Sequence, residues 1–179
     1  MYLFVDTEFT DFRDTDLISL GIVSEDGQHE FYVEITDHTV GWQSQFVREA
    51  IVPMLDYAKF GKPYDDASVT LKAWIENLPD GEIVLVVDYM MDVYLVQEML
   101  KAHKPLRRIS FMMIEKAFMG MLHERGFHYA QQHSIAFREL TNGMEEYFEK
   151  FDKRRHHALV DAKANRYGWL EGLEHAKRA

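Results

Sequence analysis

The sequence predicts a mixed α/β fold: three antiparallel strands open a sheet, parallel strands extend it, and helices pack on both faces. Three observations carry this. The first 35 residues hold three apolar, strand-like runs, the last two joined by the turn "SEDGQ". From residue 65 onward, helix-period stretches alternate with short apolar strand-like runs. A long helical segment, "HHALVDAKANRYGWLEGLEHAKR", closes the chain. With 179 residues, 47% hydrophobic and 13% aromatic, one domain over residues 1–179 with a sizeable core is expected.

The opening "MYLFVDTEFT" reads as a central strand, because both of its faces are apolar up to Val5. Alternation puts Tyr2, Phe4, Asp6 and Glu8 on one face and Leu3 and Val5 on the other. Read alone, the stretch also fits a strand that ends at Val5 and runs into a solvated turn. Leu17 to Val23 and His29 to Ile35 form a hairpin. "QSQFVREAIVPML" reads as a short helix broken near Pro53. "DDASVTLKAWIENLPDG" is a clearer helix, capped by Asp65 or Asp66, with Val69, Leu71, Trp74, Ile75 and Leu78 as its buried stripe and Pro79 as its stop. "EIVLVV" is a buried strand, and "DYMMDVYLVQEMLKAH" a helix capped by Asp88. "RISFMMI" is a further strand, followed by a helix ending at Gly126. "SIAFRELTNGMEEYFEKF" is helical, with a possible interruption at Thr141-Asn142-Gly143.

The absence of cysteine excludes disulfides and cysteine-ligated zinc or iron–sulfur sites, in keeping with a reducing cytosol. The apolar start is too short for a signal peptide and no run approaches a membrane span, so a soluble, cytoplasmic protein is expected. The formal net charge of −10 argues against nucleic acid only at first sight, since carboxylates that hold divalent cations are neutralised by them. Two basic islands, Lys104 to Arg108 and Lys150 to Arg155, stand in the acidic chain. Phosphate-loop, dinucleotide and α/β-hydrolase motifs are missing. His123, His128 and His133 recur every five residues, which does not place them on one helical face, and they read as surface or core residues.

Three constellations remain. Asp6 and Glu8 lie about 7 Å apart on one strand face, where they would repel each other without a positive partner. Asp88 and Asp92 follow a buried strand; Asp88 is most simply a cap, and Asp92 sits among apolar neighbours where an unpaired carboxylate is costly. His156 and Asp161 are about 140° apart on a regular helix. They converge only if His156 precedes the helix and folds back over its first turn. Ala158 and Ala162 leave room for close approach there.

In this order, D-x-E, an Asp one turn into a helix, and H-x-A-x-x-D-A resemble the DEDDh 3′→5′ exonucleases of the RNase T-like superfamily, which has an RNase H-like fold. The matched residues are Asp6, Glu8, Asp92, His156 and Asp161, and the order of elements agrees over nearly the whole chain. The second motif departs from the family pattern: "VDYMMD" has Asp88 where Asn is common and Met91 where Phe is common. The short chain with "DTEFT" at its start is most similar to the small bacterial and phage exoribonucleases of the group, some of which are dimers.

The resemblance implies two divalent cations, Mg²⁺ or Mn²⁺, held by Asp6, Glu8, Asp92 and Asp161. It implies His156 as the general base, a role suited to a group that ordinarily titrates near pH 6.5, and contacts from Phe9 and Thr10 to the terminal nucleotide. Lys153, Arg154 and Arg155 either neutralise upstream phosphates or are a solvated charge run. The expected activity is hydrolysis from single-stranded 3′ ends with release of nucleoside 5′-monophosphates, RNA preferred over DNA, with a homodimer as a possible assembly. The alternatives are a DNA exonuclease and a catalytically silent nucleic-acid-binding module.

Overall fold

The computed structural model describes residues 1–124 and 129–178. Its framework is a six-stranded sheet in the order β4-β3-β2-β1-β5-β6. Strand β1 (Tyr2–Phe9) lies between β2 (Leu17–Ser24), to which it is antiparallel, and β5 (Ile83–Val87), to which it is parallel. Strand β3 (Glu30–Ile35) pairs antiparallel with β2, and β6 (Ile109–Met113) parallel with β5. A two-residue strand unannounced in the sequence, β4 (Gly61–Lys62), adds to β3 in parallel. The opening strand is therefore central, as its two apolar faces require.

Alternation along β1 sends its side chains into two cores. Leu3 and Val5 pack with Leu85 and Val87 of β5 beneath α2 (Tyr64–Glu76) and α3 (Met90–Ala102). Phe4 faces the other way, into α4 (Ile114–Glu124), α5 (Tyr129–Lys150) and α6 (Ala158–Arg178). Trp169 of α6 is fully buried there, edge-on to Phe4 and Phe118, with its indole N–H donated to Glu25. Burying a side chain of this size stabilises the fold by about 2–3 kcal/mol. Helices thus cover both faces, the architecture of an RNase H-like fold. No described helix is long and apolar enough to cross a membrane.

Several elements differ in detail from their sequence signals. The helix-like run before Pro53 is a π-helical turn, Val47–Ile51, running into a 3₁₀ turn at Val52–Met54, and it packs on Ile18. A single turn, α1 (Tyr57–Phe60), follows it. Helix α2 starts one residue before Asp65, with Pro63 at the cap position; Asp65 and Asp66 lie in the first turn, where they complement the helix dipole. Its buried stripe is Ala67, Leu71 and Ile75, while Val69 is exposed. Helix α5 runs unbroken through Thr141-Asn142-Gly143. A Cβ on Gly143 would lie 2.5 Å from the Gly168 Cα, so the glycines serve the close crossing of α5 and α6 and not a break. Gly126 and His128, and the side chain of His133, lie outside the described residues.

Candidate active site

Because β1 and β5 are parallel, their carboxyl ends open together, where the chain leaves β1 for a loop and β5 for α3. Such crevices are the usual ligand sites of open α/β sheets. Asp6 and Glu8 stand at this end of β1, across from Gly21 and Ser19 of β2. Gly21 is the pivot of the site. A Cβ there would lie 2.3 Å from the Leu159 nitrogen and 2.4 Å from the Ala158 carbonyl carbon, so only glycine lets the start of α6 rest on β2. Ala158 and Ala162 are fully buried in the same contact. This close approach carries Asp161, in the first turn of α6, to the acids of β1.

His156 stands just before that turn with a left-handed backbone, φ +62°. Its backbone N–H donates to Asp161 Oδ2 at 2.9 Å. The chain folds back over the helix start in this way, which converges two residues that a regular helix would separate. The imidazole meets the ring of Phe46 face to edge, 4.8 Å between centroids. His157 points elsewhere, stacked on Tyr32 at 4.7 Å and buried.

Asp92 is 2% exposed. Its Oδ1 accepts two hydrogen bonds from Thr7, at 3.2 Å from the backbone N–H and 2.6 Å from the hydroxyl. Asp88 departs from its expected role. Helix α3 begins at Met90 with Tyr89 at the cap position, and Asp88 stands before it, among the acids of the site.

Together Asp6, Thr7, Glu8, Phe9, Phe12, Asp88, Tyr89, Asp92, His156 and Asp161 line one cavity of about 400 Å³. Burial is the first cause that raises every carboxyl group in it, and mutual repulsion adds to this. Glu8 is pushed up to about 8, with Asp161, Asp92 and Asp88 as its charged neighbours. Asp92 and Asp161 reach about 7 by burial, held back by the Thr7 hydrogen bonds and the His156 N–H respectively. Asp6 is raised well above the carboxylate range by burial, then by Asp92, Asp161, Glu8 and Asp88. Asp88 is raised as well, again mainly by desolvation, although its side chain also meets solvent.

One oxygen each of Asp6, Asp92 and Asp161 is buried without a hydrogen-bond partner among the described residues. Orphaned acceptors crowded with like charge are costly unless protons or cations satisfy them. Glu8, His156 and Asp161 bring donor atoms within 4.8 Å of one another, and so do Asp6, Asp88 and Asp92. The residues fit a hard divalent cation: mainly carboxylate oxygens, no sulfur, and free lone pairs.

A family model for the 3′-5′ exoribonuclease Rv2179c-like domain matches residues 1–172. The chain belongs to this family. No curated protein matches it. In this Rv2179c-like domain the matched span includes every acid of the cavity and His156.

Not every expected residue lines the cavity. Phe9 does, but Thr10 is fully buried, with its hydroxyl donated to the Asp14 carbonyl and accepting the Asp16 N–H, and it closes the β1–β2 loop. Phe12 and Tyr89 line the cavity without having been singled out in the sequence. Their signal was an aromatic set among acids, "DFRD" and "VDYMMD", which spacing rules do not reward. The basic islands are largely engaged within the chain. Arg107 donates to the carbonyls of Ile75, Leu78, Pro79 and Gly81. Arg154 pairs with Asp152, and Arg155 with Glu145.

Proposed function

We propose that the chain is a metal-dependent 3′→5′ exoribonuclease that removes nucleoside 5′-monophosphates from single-stranded RNA. The observation that carries this reading is the cluster of raised, partly unpartnered carboxyl groups beside His156 in one open cavity. Asp6, Glu8, Asp92 and Asp161 are the ligands we assign to two cations, Mg²⁺ or Mn²⁺, with Asp88 within reach of the Asp6–Asp92 side. When bound, such a pair supplies positive charge to the phosphodiester, to the attacking water and to the departing 3′ oxygen.

The chain's own groups supply the rest. Burial and the neighbouring Arg155 lower the pKa of His156, so its imidazole is neutral at pH 7 and has a lone pair to accept a proton. Neither ring nitrogen is held by a protein hydrogen bond among the described residues, which leaves one free to take the proton of the attacking water. Water oxygen bonds to phosphorus as the bond to the upstream 3′ oxygen breaks; that oxygen is protonated from solvent, and the terminal nucleotide leaves with the phosphate. The backbone bond to Asp161 and the ring of Phe46 orient His156. Phe9, Phe12 and Tyr89 offer ring surface to the terminal nucleotide. The family match over 1–172 supports one exonuclease domain over 1–179 and RNA as substrate.

A gel resolves the matter. RNA labelled at its 5′ end, incubated with Mn²⁺ or Mg²⁺, should give a descending ladder that EDTA abolishes, faster than a DNA of the same sequence. Cleavage of a circular RNA at a comparable rate would exclude the exonucleolytic reading, because a circle offers no end.

A further inference from the structure

A second cavity, of about 500 Å³, opens beside the first and shares Tyr89 with it. Arg13 and Thr15 of the β1–β2 loop line it, with Tyr89, Met90, Met91 and Tyr94 at the start of α3. Its size suits one nucleotide. Large apolar side chains are unusually exposed around it: Phe12 at 69%, Met90 at 61%, Tyr94 at 52%. Ring contacts continue from the acids toward it, Phe9 to Phe12 at 5.1 Å and Phe12 to Tyr89 at 6.1 Å. Clustered exposed aromatics on a soluble protein mark a binding surface.

The charge of this cavity is opposite to that of its neighbour. Arg13 is its one charged lining residue, and the guanidinium has no ion-pair partner among the described residues. The Thr15 hydroxyl is already donated to the Asp11 carbonyl. What the cavity offers a ligand is ring and thioether surface plus one cation. That combination suits the flat face of a nucleobase and a phosphate. In a strand with a free 3′ end, every phosphate other than the one being cut lies on the 5′ side.

We propose that this second cavity holds the nucleotide on the 5′ side of the scissile phosphodiester, its base against Tyr89, Met90 and Tyr94 and its own 5′-phosphate at Arg13. The proposal rests on reading the acidic cavity as the site of cleavage. Because the contacts form before and during the reaction alike, they act on KM more than on kcat.

The test compares two substrates with Mn²⁺ present. The p-nitrophenyl ester of uridine 5′-monophosphate has a terminal nucleotide but nothing to fill the second cavity; the 5′-phosphorylated dinucleotide pUpU has both. Tyr94→Ala should raise KM for pUpU about tenfold, the scale of one lost base stack, and Tyr94→Phe should restore it. Arg13→Ala should raise KM for pUpU but not for UpU, which lacks the 5′-phosphate. Both variants should hydrolyse the aryl ester within about twofold of the parent, which also shows that they fold. Equal shifts on ester and dinucleotide, or no shift on either, would overturn the second subsite while leaving the cleavage site standing. A parent protein that cleaves neither substrate overturns the cleavage reading, and this subsite with it.

Discussion

Thr7 gives both its backbone N–H and its hydroxyl to the same oxygen of Asp92, which leaves the other carboxylate oxygen buried without a partner. The residue between Asp6 and Glu8 points to the opposite face of β1, so one strand end presents two acids on one side and fixes a third from the other. Thr7→Val keeps the shape and removes the hydroxyl. It should cost about 1.5–3 kcal/mol of charge-assisted hydrogen bonding and lower kcat at least several-fold, with Thr7→Ser close to the parent. Equal activity of the Val and Ser variants would show that the bond does not position Asp92.

Carboxylates raised by burial and repulsion destabilise the fold when ionised. Asp92→Asn, Asp161→Asn and Glu8→Gln should therefore raise Tm of the metal-free protein while reducing RNA cleavage by orders of magnitude. Thermal melts in EDTA, set beside the ladder assay, check both halves. A fall in Tm for all three would mean that the acids stabilise the chain without cations.

The same shifts set a pH dependence. Glu8 moves from 4.5 to about 8, and Asp92 and Asp161 from 3.8 to about 7. A raised folded-state pKa gives stability that is complete below the unfolded value and is lost as pH rises through the folded one. Metal-free protein should lose Tm between pH 5 and 8. Mn²⁺ should raise Tm more at pH 8 than at pH 5, since ligands must be deprotonated to bind. A Tm that is flat across this range in EDTA would contradict the burial argument.

His156 and His157 are neighbours with separate roles. His156→Ala should lose most turnover and retain the Mn²⁺-induced rise in Tm. His157, stacked on Tyr32 away from the cavity, should on replacement by Ala lower stability and keep much of the turnover. Steady-state rates and melts of the two variants decide the assignment; equal loss of turnover would leave the base with neither.

Gly21→Ala should be among the most damaging changes at an uncharged residue, since Gly21 stands across from Asp6 and beneath the start of α6. A methyl group there overlaps the backbone of Ala158 and Leu159, and overpacking of this kind typically costs about 1–3 kcal/mol. Any folded variant should have its α6 start displaced and its cleavage reduced beyond its loss of stability, measured as kcat under conditions where circular dichroism shows a folded chain.

Local regularity made much of this legible beforehand. Alternation placed Asp6 and Glu8 together, apolar runs on both faces placed β1 at the centre, and the order of Asp6, Glu8, Asp92, His156 and Asp161 pointed to one cavity. The first two are properties of a chain over a few residues, carried by the strand period and apolar patterning, whereas the third rests on the resemblance to the DEDDh exonucleases. What the tertiary structure decided depends on backbones meeting across long separations. Asp88 is no cap because α3 starts two residues later, with Asp88 left among the acids. Thr10 closes a loop, while Phe12 and Tyr89 line the cavity because their loops converge where β1 and β5 end. His156 reaches Asp161 only through a left-handed residue, over a helix start that Gly21 lets down onto the sheet. No spacing in the sequence encodes that contact, since a glycine in a strand looks the same whether or not a helix 137 residues away rests on it.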